Sequence, residues 1–426
     1  MEIKTVRGMK DILPGEVARW ERVEQSARST LRAYGFEEIR TPVLEATGLF
    51  ERAIGQATDI VSKEMYTFNE RGGASVSLRP EATASVCRAY VEHHMNSEGA
   101  LAKLYLIGPM FRTERPQAGR QRQFHQISAE AIGCAHPLAD VEMITLLSDL
   151  LIGAGADRFT LLLNSVGCGH ETCRARFVTL FTQYLKAHLP SLCPECRGRY
   201  PKRVWRILDC KKEGCRKVTR GGPSLAEHIR TAACDCGRHF ETVQKGLKAS
   251  GVAFQIEPCL VRGLDYYTKT AFEVVAQGLG AQDAVAAGGR YDGLVELLGG
   301  PQVGGVGMAI GLERLMLALE AGGKNAAEEA KGGVYVALLG ESGVESALHF
   351  VRKLREGGVP CHMAFETSRS LKSQLREADR LKLRSVVMLG EREMERQVVT
   401  VKDLVAREQK ELPIRELVAY LTRAVQ

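Results

Sequence analysis

The stretch 111–133 constrains the fold of this 426-residue chain more than any other. It reads FRTERPQAGRQRQFHQISAEAIG and places four arginines around a short loop, with acidic and amide side chains on both flanks. Because such polar side chains would make a poor hydrophobic core, we predict two strands joined by a loop, LYLIGPMFRTE and RQFHQISAEAIG. A guanidinium group forms bidentate hydrogen bonds with phosphate oxygens and stays charged. The stretch therefore predicts either a phosphate-binding hairpin or a solvated basic surface hairpin.

Length and composition are those of an ordinary globular protein. The chain is long enough for about three domains that each bury a core, and 45% of its residues are apolar and 26% charged. No stretch approaches the ~20 apolar residues that span a bilayer, and the N-terminal segment MEIKTVRGMKDILPGE lacks the apolar region of a signal peptide. We therefore expect a cytoplasmic protein with no membrane partner. Its net charge of +7 permits a nucleic-acid partner without requiring one.

Cysteine usage marks one segment as different from its surroundings. Eight of the twelve cysteines lie between Cys168 and Cys236, and in a reducing compartment they are thiols or metal ligands. The segment 168–252 is also polar, basic and helical in pattern, so we predict an insertion. Four of its cysteines approximate a structural zinc spacing, although the final Cys-x4-Cys is looser than usual. Zinc and incidental buried thiols both remain open for Cys193, Cys196, Cys210 and Cys215.

The first part of the chain predicts several local elements. Residues 16–34 repeat apolar side chains at helical spacing. Pro42 interrupts an extended segment and cannot donate to a sheet ladder, so it indicates an edge strand or a subunit contact. Residues 63–79 predict a hairpin. Glu81 and Thr83 follow it, either capping a helix or facing a ligand ammonium group.

The later part of the chain alternates strands and helices. After position 254 we predict extended segments over IEPCLVRGLDYYTKTAFEVVA and AVAAGGRYDGLVELLGG. The glycine-rich stretch VGGVGMAIGLERL predicts a strand that runs into a helix, with Arg314 on its first turn. Residues 321–333 have the composition of a linker. The remainder predicts a mostly parallel sheet covered by helices, with a final helix from Pro413.

Four motifs stand in order along the chain: LRPEAT, FRTE with RQFHQ, LVRGLDYYT and GVGMAIGLERL. Together they resemble the class II aminoacyl-tRNA synthetases. FRTE and GLER fix only that class, whereas LVRGLDYYT and AGGRYDGL resemble the two signatures of the histidyl-tRNA synthetases. The resemblance runs over essentially the whole chain. The cysteine-rich segment is similar to that of some bacterial members, which favours a bacterial origin.

The resemblance implies an α+β catalytic domain, in which helices flank an antiparallel class II sheet of six or seven strands. A helical insertion and a C-terminal α/β anticodon-binding domain complete the expected architecture. The implied boundaries are 1–167 and 253–320 for the two parts of the catalytic domain, 168–252 for the cysteine-rich insertion, 321–333 for the linker and 334–426 for the anticodon-binding domain. The Pro42 segment then resembles the class II dimer motif, so a homodimer is expected.

A two-step reaction follows from the resemblance. The carboxylate of L-histidine attacks the α-phosphorus of ATP, giving histidyl-adenylate and pyrophosphate, with Mg²⁺ expected on the pyrophosphate portion. The acyl group then passes to the terminal ribose of the histidine tRNA. The alternative is a regulatory paralogue that serves ATP phosphoribosyltransferase in histidine biosynthesis. Such a paralogue is expected to lack the anticodon-binding unit and to erode LVRGLDYY, and this chain keeps both.

The family pattern carries specific roles onto this sequence. The expected catalytic residues are Arg262 and Arg112. The expected ATP-binding residues are Arg112, Glu114, Arg120, Phe124 and Arg314. The expected histidine-binding residues are Glu81, Thr83, Arg112, Gln126, Glu130, Arg262, Tyr266 and Tyr267, although either tyrosine could instead be a core aromatic. Arg115 and Gln117 are expected to meet the acceptor end of the tRNA.

Overall fold

The computed structural model describes residues 3–56, 58–95, 101–276, 283–323 and 332–425. The chain divides into two compact units, residues 1–325 and 326–426, and buried apolar clusters form separately in each. Of the helices in the described ranges, none has the length and apolar character needed to cross a membrane.

The first unit contains eleven strands and twelve α-helices among its described residues. The strands are β1 (Glu37–Glu38), β2 (Leu44–Ala46), β3 (Thr67–Asn69), β4 (Ser75–Leu78), β5 (Ala102–Phe111), β6 (Gln123–Ile132), β7 (Phe159–Gly167), β8 (Gln255–Ile256), β9 (Thr268–Ala276), β10 (Ala284–Arg290) and β11 (Gly305–Gly311). The helices are α1 (Pro14–Ala33), α2 (Thr47–Ile54), α3 (Thr83–Glu92), α4 (Leu138–Gly153), α5 (Arg176–His188), α6 (Pro194–Arg199), α7 (Trp205–Leu208), α8 (Glu213–Arg220), α9 (Leu225–His228), α10 (Cys236–Ala249), α11 (Leu294–Leu297) and α12 (Leu312–Ala321).

An eight-stranded sheet forms the centre of this unit, in the order β1-β5-β6-β11-β10-β9-β7-β8. The six strands from β5 to β7 pair antiparallel, and the short strands β1 and β8 pair in parallel at the two edges. The predicted antiparallel sheet is confirmed in its six central strands, while the two parallel edge strands raise the total to eight instead of six or seven. The predicted β5–β6 hairpin is also confirmed. A second, three-stranded sheet has the order β2-β4-β3.

Helices cover this sheet because their apolar faces match its core. Helix α1 buries Trp20, Val23, Ala27 and Leu31, and its proline is tolerated in the first turn because no N–H partner is needed there. The prediction over 16–34 is confirmed with a shift of one or two residues at each end. Helix α4 is buried over most of its length between α1, α10 and the sheet.

The segment LVRGLDYY is not the strand that its apolar and aromatic residues predict. Strand β9 begins only at Thr268, and Asn164 Nδ2 donates instead to the carbonyls of Pro258 and Leu260, at 3.1 and 2.9 Å. A side chain therefore replaces a neighbouring strand as hydrogen-bond partner. The prediction over AVAAGGRYDGLVELLGG is also partly wrong, since β10 ends at Arg290 and α11 follows.

The helices α5 to α10 lie between β7 and β8 in the chain, where the insertion is predicted. Their buried residues, such as Phe177, Phe181 and Leu247, belong to the same apolar cluster as α4 and the large sheet. The insertion and the catalytic sheet thus share one core. The boundaries at 168 and 252 stay predictions.

The second unit is an α/β sandwich with sheet order β13-β12-β14-β15-β16. Its strands are β12 (Val334–Leu339), β13 (Cys361–Met363), β14 (Ser385–Gly390), β15 (Val398–Asp403) and β16 (Gln409–Pro413), and its helices are α13 (Val344–Glu356), α14 (Leu371–Arg380), α15 (Glu391–Glu395) and α16 (Leu417–Val425).

The α/β architecture of the second unit is confirmed, but its sheet is only half parallel. Strand β12 pairs in parallel with β13 and β14, whereas β15 and β16 form an antiparallel hairpin. Asp403 Oδ1 accepts from the backbone N–H groups of Val405 and Ala406, at 2.8 and 2.9 Å, which turns the chain into β16. The final α-helix begins at Leu417 and not at Pro413, because Pro413 ends β16 and a 3-10 turn over Ile414–Glu416 follows it. Most of the predicted linker, 324–331, lies outside the described residues.

Candidate active site

A cavity lies over the central strands β6, β11, β10 and β9 of the large sheet. It brings together residues from five separated stretches of the chain. Eleven of the residues singled out in the sequence line it: Glu81, Thr83, Arg112, Glu114, Arg120, Phe124, Gln126, Arg262, Tyr266, Tyr267 and Arg314. Glu130, Arg115 and Gln117 do not line it.

One end of the cavity holds two arginines that repel each other. Arg314, on the first turn of α12, donates from Nε to the carbonyl of Gly119 at 3.0 Å and from Nη1 to the carbonyl of Ala284. Burial and the nearby charge of Arg120 both lower the pKa of Arg314. Arg120 contacts Glu114, with 2.8 Å between Nη1 and Oε2. An anionic ligand placed here would relieve the repulsion.

Arg112 and Phe124 form a flat surface beside these arginines. Arg112 Nε donates to the carbonyl of Pro80 at 2.9 Å, and its guanidinium lies 5.3 Å from the centroid of the Phe124 ring. Its Nη1 is 3.7 Å from Glu114 Oε1. The backbone contact and the ring together fix the direction of the guanidinium, which leaves its other nitrogens toward the cavity.

Arg262 lies in the loop before β9 and pairs with a carboxylate that the sequence analysis missed. Its Nη1 is 2.7 Å from Glu273 Oε2, and its guanidinium lies 6.0 Å from the centroid of the Tyr267 ring. Within the described ranges, the buried Nε of Arg262 has no hydrogen-bond partner. The only sequence signal for Glu273 was a single acidic residue within the apolar strand TAFEVVA.

Glu81 combines the two roles that the sequence left open. Its carboxylate accepts from the backbone N–H groups of Thr83 and Ala84, at 2.7 and 2.9 Å, and so caps α3. It also lines the cavity, and burial raises its pKa. The buried Oε1 of Gln126 has no partner among the residues that the structure describes. Glu81 and Gln126 therefore contribute oxygen acceptors to the cavity that the arginines also line.

Glu130, in β6, contacts the cavity through Thr83, which lines it. It accepts hydrogen bonds from the hydroxyls of Thr83 and Tyr291, at 2.7 and 2.6 Å. Burial raises the pKa of Glu130 to about 8. The opposite residue in β11 is Gly307, where an added Cβ would lie 1.8 Å from Glu130 Oε2. Only glycine leaves room for this carboxyl group.

Tyr291 belongs to the AGGRYDGL motif, but no role was predicted for it. The preceding Arg290 is fully buried and pairs with Asp140, with 2.9 Å between Nε and Oδ2, and with Asp292 at 2.8 Å. A buried charge pair of this kind is costly to break. Arg290 therefore fixes the end of β10 and, with it, the position of the Tyr291 hydroxyl, which donates to Glu130.

Tyr266 and Tyr267 are both buried and both line the cavity. Their ring centroids are 4.7 Å apart, and the hydroxyl of Tyr266 is 3.4 Å from Glu81 Oε2. They are thus part of the core and of the cavity wall at once.

Arg115 and Gln117 lie in the exposed loop between β5 and β6. The backbone groups of Gln117 and Arg120 bond to each other, at 3.1 and 2.9 Å, which closes a tight turn. The loop leaves both side chains outside the cavity, where a large ligand would reach them.

The four cysteines with the candidate zinc spacing are brought together. The sulfur atoms of Cys193, Cys196, Cys210 and Cys215 all lie within 4.8 Å of one another. A second such group was not predicted: Cys168, Cys173, Cys234 and Cys236.

Comparisons with known proteins find matches to both units of the chain. A family model described as "Histidyl-tRNA synthetase" matches residues 8–178 and 216–315. A second model, described as "Anticodon binding domain", matches residues 333–424.

Similar proteins span the whole chain. A histidine–tRNA ligase of Desulforudis audaxviator is 47% identical over 426 residues, covering 99% of each chain. One of Desulforamulus reducens is 46% identical over 416 residues, covering 97% of this chain and 98% of its own. The crystal structure of apo S. aureus histidyl-tRNA synthetase is 32% identical with a TM-score of 0.81, covering 99% of this chain and 100% of its own.

Proposed function

The chain belongs to the histidyl-tRNA synthetase family, and from this membership we propose how its residues divide the work of activating and transferring histidine. The enzyme is a ligase that uses ATP to attach histidine to tRNA. A regulatory paralogue is less supported, because the anticodon-binding model matches residues 333–424 and because Arg262 and Tyr267 both line the cavity.

The convergence of four arginines on one cavity carries the proposed roles. Arg112, Arg120, Arg262 and Arg314 come from three separated stretches and line the same space. The carboxylate of Glu81 lies in that space too. A cavity lined by both guanidinium groups and oxygen acceptors fits a ligand pair that presents phosphates and an ammonium group.

In the activation step, two anionic groups must approach each other. Aligning and neutralising them lowers the barrier without covalent help from the protein. We assign Arg112 to bridge the histidine carboxylate and the α-phosphate, and Arg262 to lie against that α-phosphate. The unpartnered Nε of Arg262 supports this role, because a buried N–H without an acceptor typically costs about 1–3 kcal/mol.

The remaining ATP contacts follow from the other end of the cavity. Arg120 and Arg314 would hold the outer phosphates, and their mutual repulsion supports this assignment. Glu114 would accept from the adenine amino group. Phe124, already in contact with the Arg112 guanidinium, would stack on the adenine ring.

Histidine itself would be read by buried polar groups. Glu81, Thr83 and Gln126 would receive the ammonium group. Tyr267, Tyr266 and Glu130 would recognise the imidazole. Glu130 would act through the hydroxyls of Thr83 and Tyr291, which donate hydrogen bonds to it. An amino acid without the matching groups would leave these buried partners unpaired, so the site discriminates strongly against it.

Mg²⁺ is proposed to accompany the pyrophosphate portion of ATP. Hard divalent cations prefer carboxylate and phosphate oxygens. When bound, the ion would offset phosphate charge that the arginines leave unbalanced.

For the transfer step, Arg115 and Gln117 would meet the acceptor end of the tRNA, and the second unit would meet the anticodon. Phe365, which follows β13 in the second unit, is 91% exposed, and exposed aromatic rings stack readily on unpaired bases. We expect Arg115→Ala to lower tRNA charging while leaving histidine activation intact. Loss of activation in that variant would contradict the assignment.

A cytoplasmic homodimer is also proposed. The small sheet β2-β4-β3 follows Pro42 and exposes two large apolar residues, Leu44 and Phe68, at 42% and 47%. Such a short, partly apolar sheet fits a subunit contact. Sedimentation analysis of the purified protein tests this, and a monomer at micromolar concentration would argue against it.

The decisive experiment for the function is amino-acid-dependent ATP–pyrophosphate exchange, measured with each standard amino acid in turn. We expect exchange with histidine alone. No exchange with histidine, or faster exchange with another amino acid, would refute the proposed activity.

A further inference from the structure

Eight cysteines gather into two clusters of four within the insertion. Cluster 1 consists of Cys168, Cys173, Cys234 and Cys236, and cluster 2 consists of Cys193, Cys196, Cys210 and Cys215. We propose that each cluster binds one structural Zn²⁺ ion, and that the ion in cluster 1 holds the insertion against the histidine-binding end of the cavity.

The distances between sulfur atoms fit a single tetrahedral ion. Zn–S bonds of about 2.3 Å place the four sulfurs about 3.8 Å apart. All sulfurs within each cluster lie within 4.8 Å of one another, and the Cys173 and Cys236 sulfurs are 3.9 Å apart. A disulfide would need about 2.05 Å. Ligands of an iron–sulfur cluster stand farther apart, because several iron and sulfide atoms lie between them.

Backbone groups already donate to the sulfurs of cluster 2. The N–H of Cys193 donates to Cys215 Sγ at 3.2 Å, and that of Cys196 donates to Cys193 Sγ at 3.5 Å. Hydrogen bonds of this kind orient the ligands of a metal ion and stabilise a thiolate. Residues 193–220 also contain ten lysines and arginines against three acidic residues. That excess fits the net negative charge of one Zn²⁺ with four thiolates.

The helices around cluster 2 are too short to be stable in isolation. Helices α6, α7 and α8 contain six, four and eight residues, and isolated helices below about 12 residues are marginal in water. A metal ion that joins them would add to the stability that their packing against the core provides. The family model leaves out residues 179–215, which contain all of cluster 2. Cluster 2 therefore lies outside the pattern that the family shares.

Cluster 1 joins two distant parts of the chain beside the large sheet. Cys168 directly follows β7, and Cys236 begins α10. The N–H of Cys168 donates to Cys173 Sγ at 3.4 Å. Gly167 has φ +67°, and a Cβ there would lie 2.8 Å from Cys173 Sγ. The backbone is thus shaped to bring these sulfurs close to the end of the strand.

The residue next to cluster 1 contacts the proposed histidine pocket. Arg174 donates from Nε to the carbonyl of Val166 at 2.8 Å, and from Nη2 to the carbonyls of Gly167 and Tyr267. Ordering Cys173 with a metal ion would therefore order the backbone of Tyr267. This second part of the proposal rests on the assigned role of Tyr267 in binding histidine.

The first test is the metal content of full-length protein purified without added zinc. We expect two equivalents of zinc per chain, one for each cluster. The double variants C234A/C236A and C193A/C196A should each lose one equivalent. The matched control C134A/C259A removes two cysteines outside both clusters and should keep both ions.

X-ray absorption at the zinc edge of the wild-type protein gives an answer even where a variant fails to fold. Four sulfur ligands at about 2.3 Å are expected. Well under one equivalent of zinc with all eight insertion thiols open to a thiol reagent would overturn the proposal. So would iron in place of zinc, or zinc retained in a variant lacking both pairs.

The second test separates the two clusters by function. Loss of cluster 1 should raise the KM for histidine in pyrophosphate exchange several-fold more than loss of cluster 2. Equal effects would overturn the link to Tyr267 and leave the zinc sites standing. Because metal content is measured without any substrate, failure of the proposed enzymatic activity would be distinguishable from failure of the zinc assignment.

Discussion

Arg262 makes one strong ion pair and keeps one buried nitrogen without a partner in the described chain. We expect Arg262→Ala to slow histidine-dependent pyrophosphate exchange about 10²–10³-fold, because a fixed charge at the reacting phosphate would be lost. Loss of the pair with Glu273 should also lower the free energy of unfolding, so the variant has to be shown to be folded under the assay conditions. Initial rates of pyrophosphate exchange measure the effect on activity, and urea denaturation measures the effect on the free energy of unfolding.

A matched control for this variant is Arg220→Ala. Arg220 also pairs with a glutamate, with 2.7 Å between Nη2 and Glu257 Oε2, but it is half-exposed and lies outside the cavity. Its loss should leave exchange unchanged. Near-normal exchange in Arg262→Ala would show that the charge has no catalytic part.

Glu130 should make stability depend on pH. Burial raises its pKa from the usual 4.5 to about 8 in the folded protein. Between those values the folded state holds a proton that the unfolded chain releases, so the free energy of unfolding falls as pH rises through this window. Glu130→Gln cannot titrate, and its stability relative to wild type should therefore rise from pH about 5 to pH about 8.

Urea denaturation across that pH range tests the prediction for Glu130. Glu296→Gln removes one negative charge at an exposed position and serves as the control. If the wild-type and Glu130→Gln curves run parallel, the carboxyl group does not titrate in this window.

At the level of elements, strand β11 depends on the absence of a side chain at Gly307. A Cβ there would meet Glu130 Oε2 at 1.8 Å and the Ala129 carbonyl at 3.0 Å. We expect Gly307→Ala to lower the free energy of unfolding by about 1–3 kcal/mol, since overpacking a filled site forces its neighbours apart. Gly311→Ala, in the same strand, meets nothing closer than 3.7 Å. Comparable losses in both variants would contradict the steric explanation.

Local patterns predict elements well where neighbours in the chain decide the structure. The β5–β6 hairpin and the position of Arg314 on α12 both follow from short motifs, and both are found. LVRGLDYY fails because its apolar and aromatic residues match a strand, while its backbone bonds to Asn164. Loops that face a ligand use the same residue types as buried strands.

Contacts between distant residues could not be predicted from one sequence. Cluster 1 joins Cys168 to Cys236 across the insertion, and its second pair, Cys234-x-Cys236, is tighter than the usual zinc spacing. The pair between Glu273 and Arg262 depends on the path of the loop before β9, which local sequence patterns do not predict. Motifs from a known family located most of the cavity, but they predicted no role for supporting residues such as Tyr291 in AGGRYDGL.

For the whole molecule, activation and tRNA charging should separate. Every residue that lines the cavity lies between positions 81 and 314, and the second unit buries its own core. We expect a chain ending at Gly323 to retain pyrophosphate exchange with histidine. Its tRNA charging should fall by about 10²-fold or more, because a second linked contact is lost.

Circular dichroism of the shortened chain shows whether its fold persists. Normal charging of tRNA by that chain would contradict the expected contribution of the second unit. Loss of exchange in a folded, shortened chain would show that histidine activation depends on the second unit.

The strand order has a consequence for synthesis on the ribosome. Strand β6 ends at Ile132, but its partner β11 begins only at Gly305. At ~5–20 residues per second, the hairpin waits roughly 9–35 s with an open edge. An unpaired edge invites pairing with other chains. We expect nascent chains released before position 305 to be far more protease-sensitive than those released after 311, so that translation speed across the insertion governs the yield of soluble enzyme.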